Sequence, residues 1–213
     1  MADDATTSRR HHGNRHGRSE HARVAVMQAA DDLLLERGFA ALTVEGIAAA
    51  AGVAKQTIYR WWPSKTAILF DAYVLDAAEH FTDTDHGDLG PDLRDRLSQL
   101  ATFLTRPDTH AVFCALAGQA QHDPAVAARF RTDVMDPQRA RDRQPLQRAL
   151  QRGHLGTGFD IEAALDELTG PIYYRILLTN QSLPRTYTDQ LVTHLLGRLT
   201  DTIHVTDQRG VPT

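Results

Sequence analysis

The segment TVEGIAAAAGVAKQTIYRWWPSK, at residues 43–65, constrains the fold of this chain more than any other. Thr43 precedes a short apolar run, and its hydroxyl can accept a hydrogen bond from a free backbone N–H at the start of a helix. Glu45 in the first turn suits the positive end of the helix dipole. Gly52 can end this helix in a left-handed conformation, and Pro63 ends a second one. The segment therefore predicts two short helices joined by a tight turn, a helix-turn-helix.

The apolar residues of this segment are spaced to meet in a small core. Ile47 and Ala51 belong to the first helix, Val53 to the turn and Ile58 to the second helix. Alanines allow two helices to cross closely, and a glycine in the turn allows a sharp change of direction. We expect these four side chains to hold the two helices together.

The second helix, beginning near Ala54, has an apolar and a polar side when its residues are placed at about 100° intervals. Ile58 and Trp61 lie on the inner side. The polar side carries hydrogen-bond donors, namely Lys55, Gln56, Tyr59 and Arg60, with Thr57 at its edge. Such groups can contact base edges and phosphates. A solvated helix face is the alternative, but two tryptophans beside this surface favour binding because they do little for solubility.

Helices are also predicted on both sides of this segment. The preceding helix ends at Gly38, and the following one is capped by Ser64. Their apolar stripes have helical spacing. The stripe of the preceding helix is Val26, Ala29, Ala30, Leu33 and Leu34, and that of the following helix is Ile68, Leu69, Ala72, Leu75 and Ala78.

The rest of the chain predicts further helices and no strands. Alternation with period two is absent, and a polar link at residues 82–90 is followed by helical periods broken by glycines and prolines. The predicted helices span residues 92–105, 109–121, 124–152, 160–179 and 186–205. The fold class is therefore all-α with about nine helices, a three-helix head with the helix-turn-helix and a larger C-terminal helical bundle.

Charge is distributed unevenly along the chain. The net charge is −4, yet residues 1–70 carry nine Lys and Arg against seven Asp and Glu. Any contact with nucleic acid is therefore expected in the N-terminal third. Residues 1–21 are basic, rich in histidine and almost free of apolar side chains, so we expect a disordered arm. This arm is either a flexible tail or a segment that lies along DNA phosphates or enters a minor groove.

Several classes of protein and site are excluded. The longest apolar runs, at residues 47–51 and 111–118, fall far short of the roughly 18 residues that span a membrane. The charged N-terminus lacks the apolar stretch of a secretory signal, so we expect a cytoplasmic protein without a membrane partner. Cys114 is the single cysteine, which excludes an internal disulfide and a cysteine-based zinc site. We expect neither a metal nor a cofactor.

The helix-turn-helix segment resembles the DNA-binding domain of the TetR/AcrR family of bacterial transcriptional regulators. The matching residues are Thr43, Ala-Gly-Val at 51–53, Ala-Lys-Gln-Thr at 54–57, Ile-Tyr at 58–59 and Trp-Pro-Ser-Lys at 62–65. The match extends back through Leu-Leu-Glu-Arg-Gly-Phe at 34–39 and forward to Leu69. A weaker match, Gly-Pro-Ile-Tyr-Tyr-Arg at 170–175, is similar to a branch of the family with its own C-terminal domain.

The resemblance implies a division of the chain into three parts. Residues 1–21 would be the arm, and residues 22–80 the DNA-binding domain with its helix-turn-helix at about 43–62. Residues 81–213 would form a domain that binds a ligand and dimerises. The implied function is a DNA-binding regulator, by family default a homodimeric repressor that a small molecule releases from its operator. Such a protein is cytoplasmic and associates with the nucleoid when bound to DNA.

The resemblance also implies which residues read the bases. Gln56 and Arg60 would be the main base readers, because glutamine suits adenine and arginine suits guanine. Lys55 would lie near a phosphate or a guanine, and Thr57 would touch a base or a phosphate.

Further residues would contact the phosphate backbone. Thr43 would do so at its helix N-terminus and Tyr59 through its hydroxyl, while Lys65 would anchor the backbone from the fourth helix. The chain departs from the family pattern at two positions. Ala54 replaces a common serine, and Trp61 replaces a histidine or tyrosine; its indole either donates to a phosphate or packs.

A dimer would place two recognition helices about 34–36 Å apart, facing a pseudo-palindromic double-stranded operator. The last two helices carry broad apolar stripes that could form a four-helix bundle across a twofold axis. The candidate interface residues are Leu165, Leu168, Ile172, Leu191, Leu195 and Leu199. The alternative is that these stripes serve the core of one subunit.

The C-terminal domain offers candidate contacts for an unidentified small-molecule effector. They combine apolar bulk with isolated polar groups, as ligand pockets do, or else they fill the core. These residues are Phe103, His110, Phe113, Cys114, Gln119, Met135, Tyr173 and Tyr174.

Two other functions are less compatible with the sequence. An all-α enzyme would need a catalytic motif, and the chain has neither a phosphate-binding glycine loop nor a nucleophile elbow nor a zinc-protease motif. His110 and Cys114 lie four residues apart on a helix, but no third group is identifiable to orient them. A non-specific DNA-binding protein would need a stronger positive charge in the head.

Overall fold

The computed structural model describes the backbone of residues 15–207 and the side chains of residues 19–199. Within this part of the chain all regular structure is helical, which confirms the all-α prediction. The helices are α1 (Arg15–Ala41), α2 (Val44–Ala51), α3 (Lys55–Trp61), α4 (Lys65–His80), α5 (Leu89–Thr105), α6 (Pro107–Ala120), α7 (Pro124–Arg129), α8 (Asp136–Gln151), α9 (Ile161–Tyr174) and α10 (Arg185–Asp207).

Two π-helical stretches complete the helices. Phe130–Met135 joins α7 to α8, and Arg175–Thr179 extends α9. Both lie close to a proline within the helical run, Pro137 in the first and Pro171 in the second. Proline lacks a backbone donor and disturbs the regular hydrogen-bond ladder, so irregular helical turns nearby are expected. With each continuous run counted once, the described part holds nine helical rods, as predicted.

The helix α1 begins earlier than the predicted end of the arm. Residues 15–21 were predicted as disordered, but α1 starts at Arg15, so this part of the prediction is wrong. A helix that is already nucleated extends at little cost, even through polar residues. The remainder of the predicted arm, residues 1–14, lies outside the described residues.

The chain divides into two compact units between Leu69 and Phe70, inside α4 and earlier than the boundary predicted at residue 80. In the first unit the whole predicted stripe of α1 is buried. Gly38 has a φ of 73° and interrupts the helix where its end was predicted. Ile47 and Ile58 are fully buried, whereas the other two predicted core residues of the helix-turn-helix are only half-buried.

The helix α4 is capped as predicted, but a different set of residues near its end is buried. The Ser64 hydroxyl accepts a hydrogen bond from the Ala67 N–H at 3.2 Å. Leu75 and Ala78, predicted to be buried, are exposed. Tyr73 and Ala77 are buried instead. Both choices fit a helical period, and the structure follows the one that seats the tyrosine ring in an aromatic cluster with Phe103 at 5.3 Å.

The second unit is built around α5. Its leucines Leu93, Leu97, Leu100 and Leu104 are almost completely buried, and α10, α8 and α6 all pack against it. The helix begins at Leu89, three residues before the predicted start, because proline is tolerated in a first helical turn. None of the helices within the described residues is long and apolar enough to cross a membrane.

The predicted dimer stripe lies mainly inside this core. Leu165, Leu168, Ile172 and Leu195 are at most 1% exposed. For these four residues the alternative interpretation is therefore correct, and they serve the core of their own subunit. The other two predicted residues, Leu191 and Leu199, remain partly exposed.

Candidate nucleic-acid interface

The helix-turn-helix is held by local hydrogen bonds. Thr43 is the N-cap of α2, and its Oγ1 accepts from the Gly46 N–H at 3.0 Å. Gly52 ends α2 with φ 64° and ψ 28°, a left-handed conformation that favours glycine. The next residue, Val53, donates its N–H to the Ala48 carbonyl at 3.1 Å. The chain is thereby turned into α3 within three residues.

The helix α3 is fixed from its inner side. Ile58 is fully buried, and Trp62, directly after the helix, is 2% exposed. The Trp62 N–H donates to the Ile58 carbonyl at 2.8 Å, which closes the last turn. With this side fixed, the predicted donors face outward: Lys55, Gln56, Tyr59 and Arg60 are exposed, and Thr57 is half-buried.

The two tryptophans form an aromatic pair at the end of α3. Their rings meet edge to face with centroids 5.5 Å apart. The Arg60 guanidinium lies 5.9 Å from the Trp61 ring centroid, and that of Arg23 lies 5.0 Å from the Trp62 ring. The Trp61 ring thus contacts both Trp62 and the Arg60 guanidinium at the edge of the exposed surface.

Lys55 has a partner that the sequence analysis did not assign to it. Its Nζ forms an ion pair with the Glu45 carboxylate of α2. The hydrogen bond between them lowers the pKa of Glu45 and raises that of Lys55. The same ammonium lies 5.5 Å from the Tyr59 ring centroid. Lys55 is therefore held between two side chains of the protein at the edge of the exposed surface.

Lys65 is directed into the protein. Its Nζ donates to the carbonyls of Phe39 and Leu42 at 2.6 and 2.8 Å. It also lies 4.1 Å from the Phe39 ring centroid, and burial lowers its pKa. Two of its three N–H groups thus hold the segment that leads into α2. Because the partners are backbone carbonyls far back in the chain, no side-chain pattern in the sequence indicates this role.

The second unit contains a groove between α6 and the end of α9, with a volume of about 590 Å³. We call it the α6–α9 groove; it is lined by Cys114, Ala117, Gly118, Gln121, Tyr173, Tyr174, Leu177 and Leu178. Three of the eight predicted pocket residues are among them. Phe103 and Phe113 are fully buried, in agreement with the alternative that they fill the core.

The remaining predicted pocket residues lie outside this groove. His110 places its Nε2 3.7 Å from the Cys114 Sγ, and burial raises the pKa of that thiol, which disfavours a reactive thiolate. Gln119 and Met135 are half-buried. Sequence reasoning missed a second cavity of about 610 Å³, formed by the loop at residues 154–160 and by α9 and α10. Within the described residues no group of three or more His, Cys, Asp or Glu could hold a metal ion.

Comparison with known proteins covers both units. The sequence pattern described as "Bacterial regulatory proteins, tetR family" matches residues 26–72. The pattern described as "Tetracyclin repressor-like, C-terminal domain" matches residues 83–195. The chain is 37% identical to the uncharacterized HTH-type transcriptional regulator YdeS of Bacillus subtilis (strain 168), over 82% of this chain and 88% of that protein.

Two solved structures are similar over most of their length. The TetR family transcription regulator SCO0332 is 32% identical, with a TM-score of 0.68 over 83% of this chain and 97% of that one. The flavonoid-responsive regulator FrrA is 28% identical, with a TM-score of 0.63 over 87% of this chain and 97% of that one. Both likenesses extend through the helix-turn-helix unit and the helical unit.

Proposed function

The chain belongs to the TetR family of bacterial transcriptional regulators, and from this premise we propose that it is a homodimeric repressor released from its operator by a small molecule. It is a DNA-binding regulator and not an enzyme. The observation that carries the proposal is the exposed donor surface of α3, fixed from behind by Ile58 and Trp62.

The exposed side chains of α3 suit base reading in a major groove. Arg60 would donate to the O6 and N7 atoms of a guanine, and Gln56 would pair with an adenine edge. Thr57 and the Tyr59 hydroxyl would contact a base or the phosphates beside them, and the start of α2 at Thr43 would face a phosphate.

The two lysines would act differently from one another. Lys65 would position the segment before α2 through the Phe39 and Leu42 carbonyls, with one N–H left for a phosphate. Lys55 would reach a phosphate only by exchanging its bond to Glu45, so its contribution to DNA binding is smaller than that of an unpaired lysine.

Dimerisation would bring two α3 helices to successive turns of a pseudo-palindromic operator. The predicted interface residues that a second copy can still reach are Leu191 and Leu199, which are partly exposed on α10.

An effector would bind in the second unit, where the α6–α9 groove offers a largely apolar surface of suitable size. The flavonoid-responsive structural neighbour supports a response to a small molecule. Release follows when the ligand binds the DNA-free conformation more tightly than the DNA-bound one.

The test is DNA binding by variants of α3. Genomic footprinting would locate the operator, and fluorescence anisotropy would compare it with random DNA. Arg60→Ala should weaken operator binding by about 1–3 kcal/mol and relax the preference at one base position. Arg131→Ala, which removes an exposed arginine of the second unit, is the matched control and should bind normally. An equal loss on operator and random DNA would mean that Arg60 does not read a base.

A further inference from the structure

The interior of the second unit contains an arginine with two donor nitrogens that the described part of the protein does not use. Arg96 of α5 is 4% exposed. Its Nη2 donates to the Thr82 carbonyl at 3.1 Å, but its Nε and Nη1 have no hydrogen-bond partner within the described part of the chain. Buried donors without partners are costly. They therefore indicate a polar group supplied from outside the chain.

A buried carboxyl lies in the same interior. Asp142 of α8 is 3% exposed, and its Oδ1 accepts from the Gln138 amide at 2.8 Å. The positive charges of Arg96 and Arg141 lower its pKa, but burial outweighs them and raises it to about 7. These charges act across space, since neither arginine forms an ion pair with Asp142 in the described structure. When buried opposite charges do not touch, hydrogen-bonding atoms of both side chains remain available to another partner.

Aromatic rings surround these charges. Arg96 and Arg141 lie 5.8 and 4.7 Å from the centroid of the same Phe81 ring. Tyr73 is linked to the Phe81 ring through Phe103, at centroid distances of 5.3 and 4.9 Å, and Tyr173 is linked to Tyr73 through Phe113. Burial raises the pKa of both phenols, and the charge of Asp142 adds to the effect. We call Tyr73, Arg96, Arg141, Asp142 and Tyr173 the interior polar cluster.

A row of rings connects the cluster with the α6–α9 groove. Tyr173 lines the groove and stacks on Phe113 with centroids 5.8 Å apart. Phe113 in turn lies 6.0 Å from Tyr73, which contacts Phe103 at 5.3 Å. One side chain, Tyr173, is thus shared by the apolar groove and the polar cluster.

We propose that the interior polar cluster is the recognition site for the effector's acidic oxygen, and that the effector is a small planar aromatic acid, a carboxylate or an ionised phenol. Its oxygen accepts hydrogen bonds from the unused donors of Arg96, and its apolar body lies against the rings that lead to the α6–α9 groove. The site rests on the proposed function, since it identifies the class of molecule that releases the operator.

The charge of the cluster favours an anion over a neutral molecule of the same shape. Two guanidinium groups lie at the same Phe81 ring, and the carboxyl that the Gln138 amide links to Arg141 is partly protonated near neutral pH. A bound anion balances the excess positive charge in a medium of low polarity, where such pairs are strong. A cation would add to the excess and would leave the Arg96 donors without an acceptor.

Two probes of equal shape and different charge test the chemical class. We would titrate 1-naphthoate and 1-naphthamide into the full-length protein without DNA, by isothermal calorimetry and thermal-shift measurement. Naphthoate should bind in the micromolar to millimolar range, and naphthamide at least ten-fold more weakly. Absence of naphthoate binding at millimolar concentration, or equal binding of both probes, overturns the proposal.

Variants test the residues. Arg96→Gln should lower the preference for naphthoate over naphthamide at least ten-fold. Arg96→Lys should retain part of this preference because the positive charge is kept. Arg131→Gln, on the exposed surface, is the control and should bind like the parent protein. Asp142→Asn removes a competing negative charge and should strengthen naphthoate binding several-fold. A misfolded protein cannot produce this gain. If naphthoate binding does not strengthen, the proposed role of Asp142 is overturned.

Operator binding separates this inference from the proposed function. Naphthoate should release the parent protein from its operator, and Arg96→Gln should bind the operator normally without responding to the probe. If the parent protein binds no operator but discriminates between the probes, the regulator proposal fails while the site stands. If operator binding is intact and Arg96→Gln responds like the parent protein, the site is wrong and the regulator proposal stands.

Discussion

Replacing Lys65 by methionine separates a structural role of this side chain from a DNA contact. The ammonium donates to the Phe39 and Leu42 carbonyls at 2.6 and 2.8 Å. Hydrogen bonds from charged groups contribute about 1.5–3 kcal/mol each. Water can replace them in part because Lys65 is only half-buried. We therefore expect a loss of about 2 kcal/mol in the unfolding free energy of the first unit for the pair of bonds. Methionine keeps the apolar stem, so packing changes little.

The assay is urea unfolding followed by tryptophan fluorescence. Both tryptophans of the chain, Trp61 and Trp62, belong to the first unit, so the signal reports on this unit. Lys55→Met is the matched control and should change the unfolding free energy by less than about 0.5 kcal/mol, because its ion pair is solvent-exposed.

The salt dependence of DNA binding gives the second readout for Lys65→Met. A residue that only positions the segment before α2 leaves the slope of log affinity against log salt unchanged. Loss of a phosphate contact lowers that slope by about one. A variant with unaltered stability and a reduced slope would refute the structural role and restore the original prediction for Lys65.

Three further predictions concern the ion pair of α2 and α3, the dimer and the buried carboxyl. Glu45→Gln should release Lys55 from its ion pair and strengthen binding to random DNA about threefold in a gel-shift titration. Unchanged binding would show that the ion pair does not keep Lys55 from contacting DNA. Leu191→Arg should dissociate the proposed dimer in light scattering, whereas Leu35→Arg, at a 48% exposed position of α1, should not. The folded-state pKa of Asp142, about 7, exceeds its ordinary value of 3.8, so stability should fall as pH rises from about 4 to 7 and then level off. Asp142→Asn should remove this fall in thermal unfolding, and a persisting fall would assign it to other groups.

Local rules account for what the sequence predicted correctly. The caps at Thr43 and Ser64 need only neighbouring residues, and both hydroxyls accept the expected backbone N–H. The left-handed Gly52 follows from the tight turn, and the exposed donors of α3 follow from helical spacing around Ile58. Each of these features is decided within one or two turns of the chain, where a single sequence is informative.

Contacts between distant residues account for the errors. Lys65 meets carbonyls 23 and 26 residues earlier in the chain. The leucine stripes of α9 and α10 were recognised as apolar, but periodicity does not show whether such a stripe packs on its own subunit or on another. The interior polar cluster was missed because charged residues such as Arg96 and Asp142 are expected at the surface.

Folding stability does not explain why the second unit buries the charges of the interior polar cluster. A well-packed apolar core would avoid the desolvation of Arg96 and Asp142, and replacing buried ionic groups by apolar ones is often neutral or stabilising. The leucines of α5 show that the same helix also buries purely apolar side chains. A guanidinium with unused donors, near a buried carboxyl with which it forms no ion pair, therefore needs a reason other than folding. Binding an aromatic acid supplies that reason, because the ligand satisfies the donors that the fold leaves open.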